Sequence, residues 1–167
     1  NYWHWLFDVL PRIKILENKI NLQEIDFFLF PDLREKFQFE TLNSLDIPLE
    51  KRISSRVFRH VQSKTAIAVD HPYVIKNDPS IEIQNLPSWI LEFLRNKFLN
   101  KDKSINFPNK FYIDRKDSKS NHRHLRKIIN EEEVKDFLVK KGFSILTLSD
   151  LSFKDQVNLF QNATHIV

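Results

Sequence analysis

The sequence predicts an α/β fold with parallel strands, and three observations point that way. From residue 111 onward, patterned segments run strand, helix, strand, helix, strand with short links, an order that implies a parallel sheet with right-handed crossovers. Two earlier runs, Ile25 to Phe30 and Thr65 to Val69, are short and mostly apolar, the look of buried strands. The helices of the second half carry start and stop residues, so their limits can be read directly.

Taken in order, Trp3, Leu6, Phe7 and Leu10 fall at i, i+3, i+4 and i+7, which makes residues 1–10 an amphipathic helix. Pro11 should bend or end it, with a further turn or two through Ile13, Leu16 and Ile20. The Ile25 to Phe30 strand closes at Pro31-Asp32. Leu33 to Lys51 fits no single pattern. The Thr65 to Val69 strand ends at Asp70-His71-Pro72, and Asn77 to Pro87 is polar and turn-rich. Trp89, Phe93, Leu94 and Phe98 mark a helix from Ser88 to Leu99. Lys101 to Pro108 reads as a connector, which divides the chain into residues 1–100 and 101–167. Beyond it, strand Phe111–Asp114 precedes a helix opened by Asn130 with Glu133 three residues later, a pair like a capping box. Val134, Phe137 and Leu138 form that helix's apolar stripe, and Lys140-Lys141-Gly142 stops it. Ser144 to Leu148 is a strand. Ser152 with Asp155 caps a last helix with Val157, Phe160 and Ala163 inward, and Val167 enters another strand.

The composition, 41% apolar and 29% charged, is that of a globular protein, and fifteen Phe with three Trp can build a large core. Zero Cys excludes disulfides and thiolate metal sites. No apolar run approaches the ~20 residues of a membrane helix. The chain opens without Met inside a patterned helix and stops on a strand just beginning, so we expect a fragment, truncated at its C-terminal side. A single Gly agrees with that, being few for a complete nucleotide-binding domain.

Positive charge gathers between Lys110 and Lys127, where seven Lys/Arg meet only Asp114 and Asp117, a local balance of +5 in a chain of net +4. The run lies between a strand's carboxyl end and a helix start, the usual place for an anionic ligand in an α/β fold. Arg115, Arg123 and Arg126 are suited to grip a diphosphate through their planar forks; a solvated basic loop is the competing reading. Glu131, in the first turn of the following helix, can accept hydrogen bonds from ribose hydroxyls or simply compensate the helix dipole. His4 and Asp8 stand at i, i+4 with Arg12 continuing the row. A carboxylate one turn from an imidazole can orient a general base, or the two can be a structural polar pair. Asp70-His71-Pro72 is either a meeting point for substrate or a turn. His122 and His124, with His60 and His71 elsewhere, fit surface histidines better than a zinc site. Neither a GxGxxG nor a Walker A motif is present, which disfavours ordinary dinucleotide or P-loop binding.

Together these residues resemble a family. Asn1-Tyr2-Trp3-His4-Trp5-Leu6-Phe7-Asp8-Val9-Leu10-Pro11-Arg12 is similar to the N-Y-x-H-W-L-x-D-x-L-P-R signature of glycosyltransferase family 61, a capsular polysaccharide biosynthesis type. Tyr112-Ile113-Asp114-Arg115 resembles its Y-I-S-R strand, with Asp114 where Ser is usual. Arg126-Lys127-Ile128-Ile129-Asn130-Glu131 resembles R-R-x-x-N-E. Gly142-Phe143, Leu151-Ser152-Phe153-Lys154-Asp155-Gln156 and Phe160 with Ala163 resemble its later elements.

The resemblance implies a GT-B-like architecture: two Rossmann-like lobes with parallel sheets, an acceptor-side lobe in residues 1–100 and an incomplete donor lobe in 101–167. It implies an inverting transfer of a sugar from a nucleotide-sugar donor to a glycan or lipid-linked glycan acceptor. His4 and Asp8 would then be base and orienter, Arg115 and Arg126 the diphosphate ligands, and Asn130 and Glu131 the nucleoside side. No metal or other cofactor is expected. The location implied is cytoplasmic, with peripheral association at the inner face of the membrane left open. The rival readings are a basic nucleic-acid-binding module and a non-catalytic scaffold of a polysaccharide assembly complex. Against the first, aromatic residues are not interleaved with the loop's charges.

Overall fold

In the computed structural model, residues 2–73, 86–99, 107–117 and 128–167 are described. They form two compact units, Asn1–Phe98 and Leu99–Val167.

The first unit begins with helix α1 (Tyr2–His4), widens into a π turn (Trp5–Val9) and continues as α2 (Leu10–Glu17). Of the two expectations for Pro11, a bend or an end, the end does not occur. A helical proline lacks an N–H, and its ring crowds the carbonyl one turn back. Here Pro11 sits in the first turn of α2, and the turn before it is already wide, with the Leu10 N–H bonded to the Trp5 carbonyl five residues back. The same π turn changes the buried face. Trp5, Leu10 and Ile13 are buried, whereas Trp3, expected inward, is 39% exposed. Residues five apart are about 140° out of line on a regular α-helix but much closer to alignment across a π turn.

Helix α3 (Lys36–Ser44) occupies part of the stretch whose pattern was ambiguous. Its start is fixed by Gln38, whose Oε1 accepts from the backbone N–H groups of Arg34 and Glu35, each at 2.9 Å. Past its end, Asp46 takes a left-handed φ of 55°, and the Ile47 N–H reaches back to the Leu42 carbonyl at 3.2 Å. The buried Trp5 indole donates to Thr41 Oγ1 at 2.8 Å, and that hydroxyl donates to the Phe37 carbonyl at 2.7 Å. The indole N–H is thereby satisfied inside the core.

Strands β1 (Phe28–Phe30) and β2 (Arg52–Ser54) pair in parallel, Phe28 against Arg52 and Phe30 against Ser54. Phe28 and Phe30 are buried while Leu29 is exposed, so β1 has one covered face and not two. Strand β2 carried no apolar signal. Its Arg52 guanidinium is held by Asn43 Oδ1 at 2.6 Å and by the Ile47 carbonyl. The strand expected at Thr65 to Val69 is absent: residues 65–68 are exposed and pair with no strand. A short apolar run becomes a strand only where a neighbour completes its ladder. Helix α4 (Ser88–Phe98) forms as expected, though Ile90 and Phe93 are its buried residues and Trp89 is only partly covered. Trp5, Leu10, Ile13, Phe28, Phe30, Leu42, Leu45, Ile47 and Phe93 make one core cluster. Of the turn-rich Asn77 to Pro87 stretch, residues 77–85 lie outside the described residues, as do 101–106 of the connector.

The second unit runs β3 (Lys110–Ile113), α5 (Glu131–Lys140), β4 (Ser144–Leu146), α6 (Phe153–Gln161) and β5 (His165–Ile166). Its sheet has the order β4-β3-β5 with both pairings parallel, as the strand-helix alternation predicted. Phe111, Tyr112, Leu138, Phe153 and Leu159 are its buried hydrophobics. Phe137 and Phe160, expected inward, are 59% and 42% exposed. The Phe137 ring instead lies under the Lys141 ammonium, 5.6 Å from its centroid, and Phe160 meets Phe111 edge-on at 5.6 Å. Gly142 ends α5 with φ 80°, while the Phe143 N–H bonds to the Leu138 carbonyl at 3.0 Å and the Gly142 N–H to Val139 at 2.9 Å. At α6, Ser152 Oγ accepts from the Asp155 N–H at 3.0 Å, the expected cap.

Candidate functional site

Asp8 is the hub of the first unit's polar cluster. It lies in the π turn, its side chain only 14% exposed, and its Oδ2 meets His4 Nδ1 at 2.5 Å. Its Oδ1 accepts from the Tyr73 hydroxyl at 2.7 Å and faces His71 Nε2 at 3.7 Å. The His71 ring packs edge-on against Tyr73 at 4.5 Å, and its Nδ1 donates to the Tyr73 carbonyl at 2.9 Å, since a carbonyl can only accept. The His4 side chain is 65% exposed. With Nδ1–H donated to a carboxylate, the imidazole presents the Nε2 lone pair outward, the arrangement of an oriented general base.

The expected pair His4 and Asp8 is thus brought together, and the turn Asp70-His71-Pro72 is brought to it. Tyr73 is a member that the sequence reading missed, because a tyrosine after a turn carries no periodic signal. Arg12 continues the row, and its Nε is buried without a hydrogen-bond partner among the described residues.

The second unit sets out its residues around the carboxyl end of β3. Chain order β3, β4, β5 with spatial order β4-β3-β5 means that the chain leaves β3 toward one side and returns on the other. The carboxyl end of the β3-β5 pair is therefore a topological switch point, the position at which open α/β sheets bind ligands. Asp114 and Arg115 follow β3 directly at that point.

Asp114 is buried, and its Oδ2 pairs with Lys135 Nζ at 2.9 Å while Oδ1 accepts from the Lys116 N–H at 2.9 Å. Burial alone would raise its carboxyl, but those two bonds outweigh it and hold the group below the ordinary range. Lys135 is held well above the usual lysine range, first by Asp114 and then by Glu132. The Asp114 charge is thus engaged by a helix lysine, and it neutralises less of the basic loop than a simple count suggests. Arg115 is exposed and has no ion pair among the described residues.

Glu131 opens α5, and its Oε1 accepts from the Tyr112 hydroxyl at 2.8 Å. Burial, and then this bond, push the Tyr112 phenol up. The second Glu131 oxygen has no hydrogen bond among the described residues. Asn130 occupies the N-cap position, but its side chain makes no cap bond to the backbone; its Nδ2 donates to Glu133 Oε2 at 3.4 Å. The reciprocal capping box expected there is not formed. Arg126, Arg123, His122 and His124 lie outside the described residues. Among the described residues no three His, Cys, Asp or Glu side chains are grouped to hold a metal ion.

A mixed α/β chain whose strands all pair in parallel among the described residues, with charged side chains gathered at a strand's carboxyl end, fits the class of Rossmann-like glycosyltransferases. Within that class, the family model Glycosyltransferase 61 matches residues 2–167, and the chain belongs to that family. Membership makes it a glycosyltransferase, one that works between a sugar donor and a glycan acceptor. No curated protein and no solved structure matches the chain.

Proposed function

We propose that the protein transfers a sugar with inversion from a nucleotide-sugar donor to a glycan or lipid-linked glycan acceptor, in surface or capsular polysaccharide synthesis at the cytoplasmic side of the membrane. The observation that carries this reading is the Asp8 hub. A base held by a carboxylate, which is itself held from a distant part of the chain, suits removal of an acceptor hydroxyl proton. In this reading His4 Nε2 takes that proton and the acceptor oxygen attacks the anomeric carbon. The nucleoside diphosphate leaves from the opposite face. Asp8 keeps the imidazole in the required tautomer and stabilises the imidazolium that forms.

On the donor side, Arg115 and Arg126 stabilise the departing diphosphate by their charge, with no metal required. Glu131 receives the ribose hydroxyls through the oxygen that no described residue engages, and Asn130 flanks it. The switch-point position of Arg115 supports this assignment. The two-lobe GT-B arrangement is part of the same reading.

The experiment is a nucleotide-sugar screen by thermal shift on the full-length protein, followed by transfer assays with the donor that binds. Arg115→Ala and Arg126→Ala should abolish the shift, and His4→Ala should keep it while removing transfer. Transfer that survives His4→Ala and Asp8→Asn would overturn the assignment of the base.

A further inference from the structure

We propose that residues 55–68, the segment that leaves strand β2, are a docking surface for an anionic lipid bilayer. The inference rests on charge, exposure and anchorage in the first unit, and it stands whether or not the assigned transfer roles hold.

Charge comes first. From Lys51 to Val69 the chain has five Lys/Arg and no Asp or Glu, a local +5. Two of these cations serve the fold: Lys51 Nζ donates to the Gln23 and Ile25 carbonyls at 2.8 and 2.7 Å, and Arg52 binds Asn43 and the Ile47 carbonyl. Arg56, Arg59 and Lys64 remain on the surface, and neither Arg59 nor Lys64 has an acidic partner among the described residues.

Exposure is the second observation. Every residue from 55 to 68 is exposed. Among the cations stand Val57 at 71%, Phe58 at 50%, Val61 at 53% and Ile67 at 58%. Water solvates the cations but not these side chains. A bilayer interface accommodates both, with cations at lipid phosphates and apolar groups at the headgroup boundary. A nucleic acid would satisfy the cations but leave Val57, Val61 and Ile67 in water, and the segment offers it only the rings of Phe58 and His60 for stacking.

Anchorage is the third. The segment leaves the sheet through a fixed turn in which the Val57 and Phe58 N–H groups donate to the Ser54 carbonyl at 3.1 and 2.8 Å. Asp32 Oδ2 receives Arg56 Nη1 at 3.0 Å and Arg34 Nε at 2.5 Å, which sets a second exposed guanidinium beside the turn. The turn thus fixes where the segment leaves the carboxyl end of the β1-β2 sheet.

The test is cosedimentation of the whole chain with phosphatidylcholine vesicles, with and without phosphatidylglycerol. Binding should require the anionic lipid and weaken with salt. Val57→Ser with Phe58→Ser should reduce it about tenfold at constant charge. Replacing Arg56, Arg59 and Lys64 by Gln should abolish it, whereas Lys36, Lys140 and Lys154 changed to Gln should leave most of it. An unchanged melting temperature shows that each variant folds. Failure to sediment with anionic vesicles would sink the proposal. So would equal losses from the control lysines, tighter binding to a random oligonucleotide, or self-association explaining the pellet.

Discussion

The Tyr73 hydroxyl donates to Asp8 Oδ1 at 2.7 Å across 65 residues of chain, while the other oxygen of the same carboxylate holds His4. Removing the phenol oxygen loosens Asp8 without removing its bond to His4. Tyr73→Phe in the full-length protein is expected to lower kcat about tenfold, the worth of one hydrogen bond to a charged group. His4→Ala should cost ~10²–10⁴-fold, the range of a lost general base. Steady-state kinetics with a fixed acceptor checks the ordering, and equal losses would contradict it.

Trp5 and Thr41 couple the π turn to α3. Trp5→Phe keeps most of the apolar bulk and leaves the Thr41 hydroxyl without its donor, so a loss of about 1–3 kcal/mol is expected. Leu42→Ala, at a fully buried position, should cost about 2–5 kcal/mol through its cavity. Urea unfolding followed by Trp fluorescence measures both, and a neutral Trp5→Phe would show that the indole bond contributes nothing.

Gly142 adopts φ 80°, and a Cβ built there would meet nothing within 4 Å. The cost of Gly142→Ala is therefore backbone strain alone, about 1–2 kcal/mol. Gly142→Asn should cost less, because Asn tolerates the left-handed region. A melting curve that ranks Ala below Asn below Gly confirms this. A loss well above that range would mean a steric clash.

The Asp114–Lys135 pair makes the second unit sensitive at both extremes of pH. Asp114 is held below its ordinary range, so its contribution is complete above the unfolded value, about 3.9, and fades as pH falls through the lower folded value. Lys135 is raised, so its contribution is complete below about 10.4 and is lost as pH rises through the higher folded value. Between those limits the pair is intact. Lys135→Met should flatten both flanks of the stability profile and leave its centre lower, because Asp114 then stays buried without its cation. An unaltered acid flank in that variant would assign the acid sensitivity to other carboxylates.

Much of the second unit was legible beforehand because its signals are local. Ser152 caps α6 from within one turn, Gly142 stops α5 through its own φ, and the strand-helix alternation required parallel pairing. The first unit was read less well. Its π turn moved the buried face from Trp3 to Trp5, and its second strand, Arg52-Ile53-Ser54, is defined by pairing with β1 and not by composition. The apolar run Thr65 to Val69 failed for the converse reason, having apolar residues but no partner. The +5 count around Phe58 is present in the sequence, but the exposure of the apolar residues beside it is not.

Spacing along one helix was enough to pair His4 with Asp8, and motif order was enough to place the chain in its family. The tyrosine that grips Asp8, the lysine that engages Asp114 and the rotation of the first helix are different in kind. Each depends on a contact between residues distant in sequence or on a change in helical pitch, so only the folded chain defines it. Local patterns fix backbone conformation over a turn or two, whereas the state of a buried charge depends on whatever packing brings beside it.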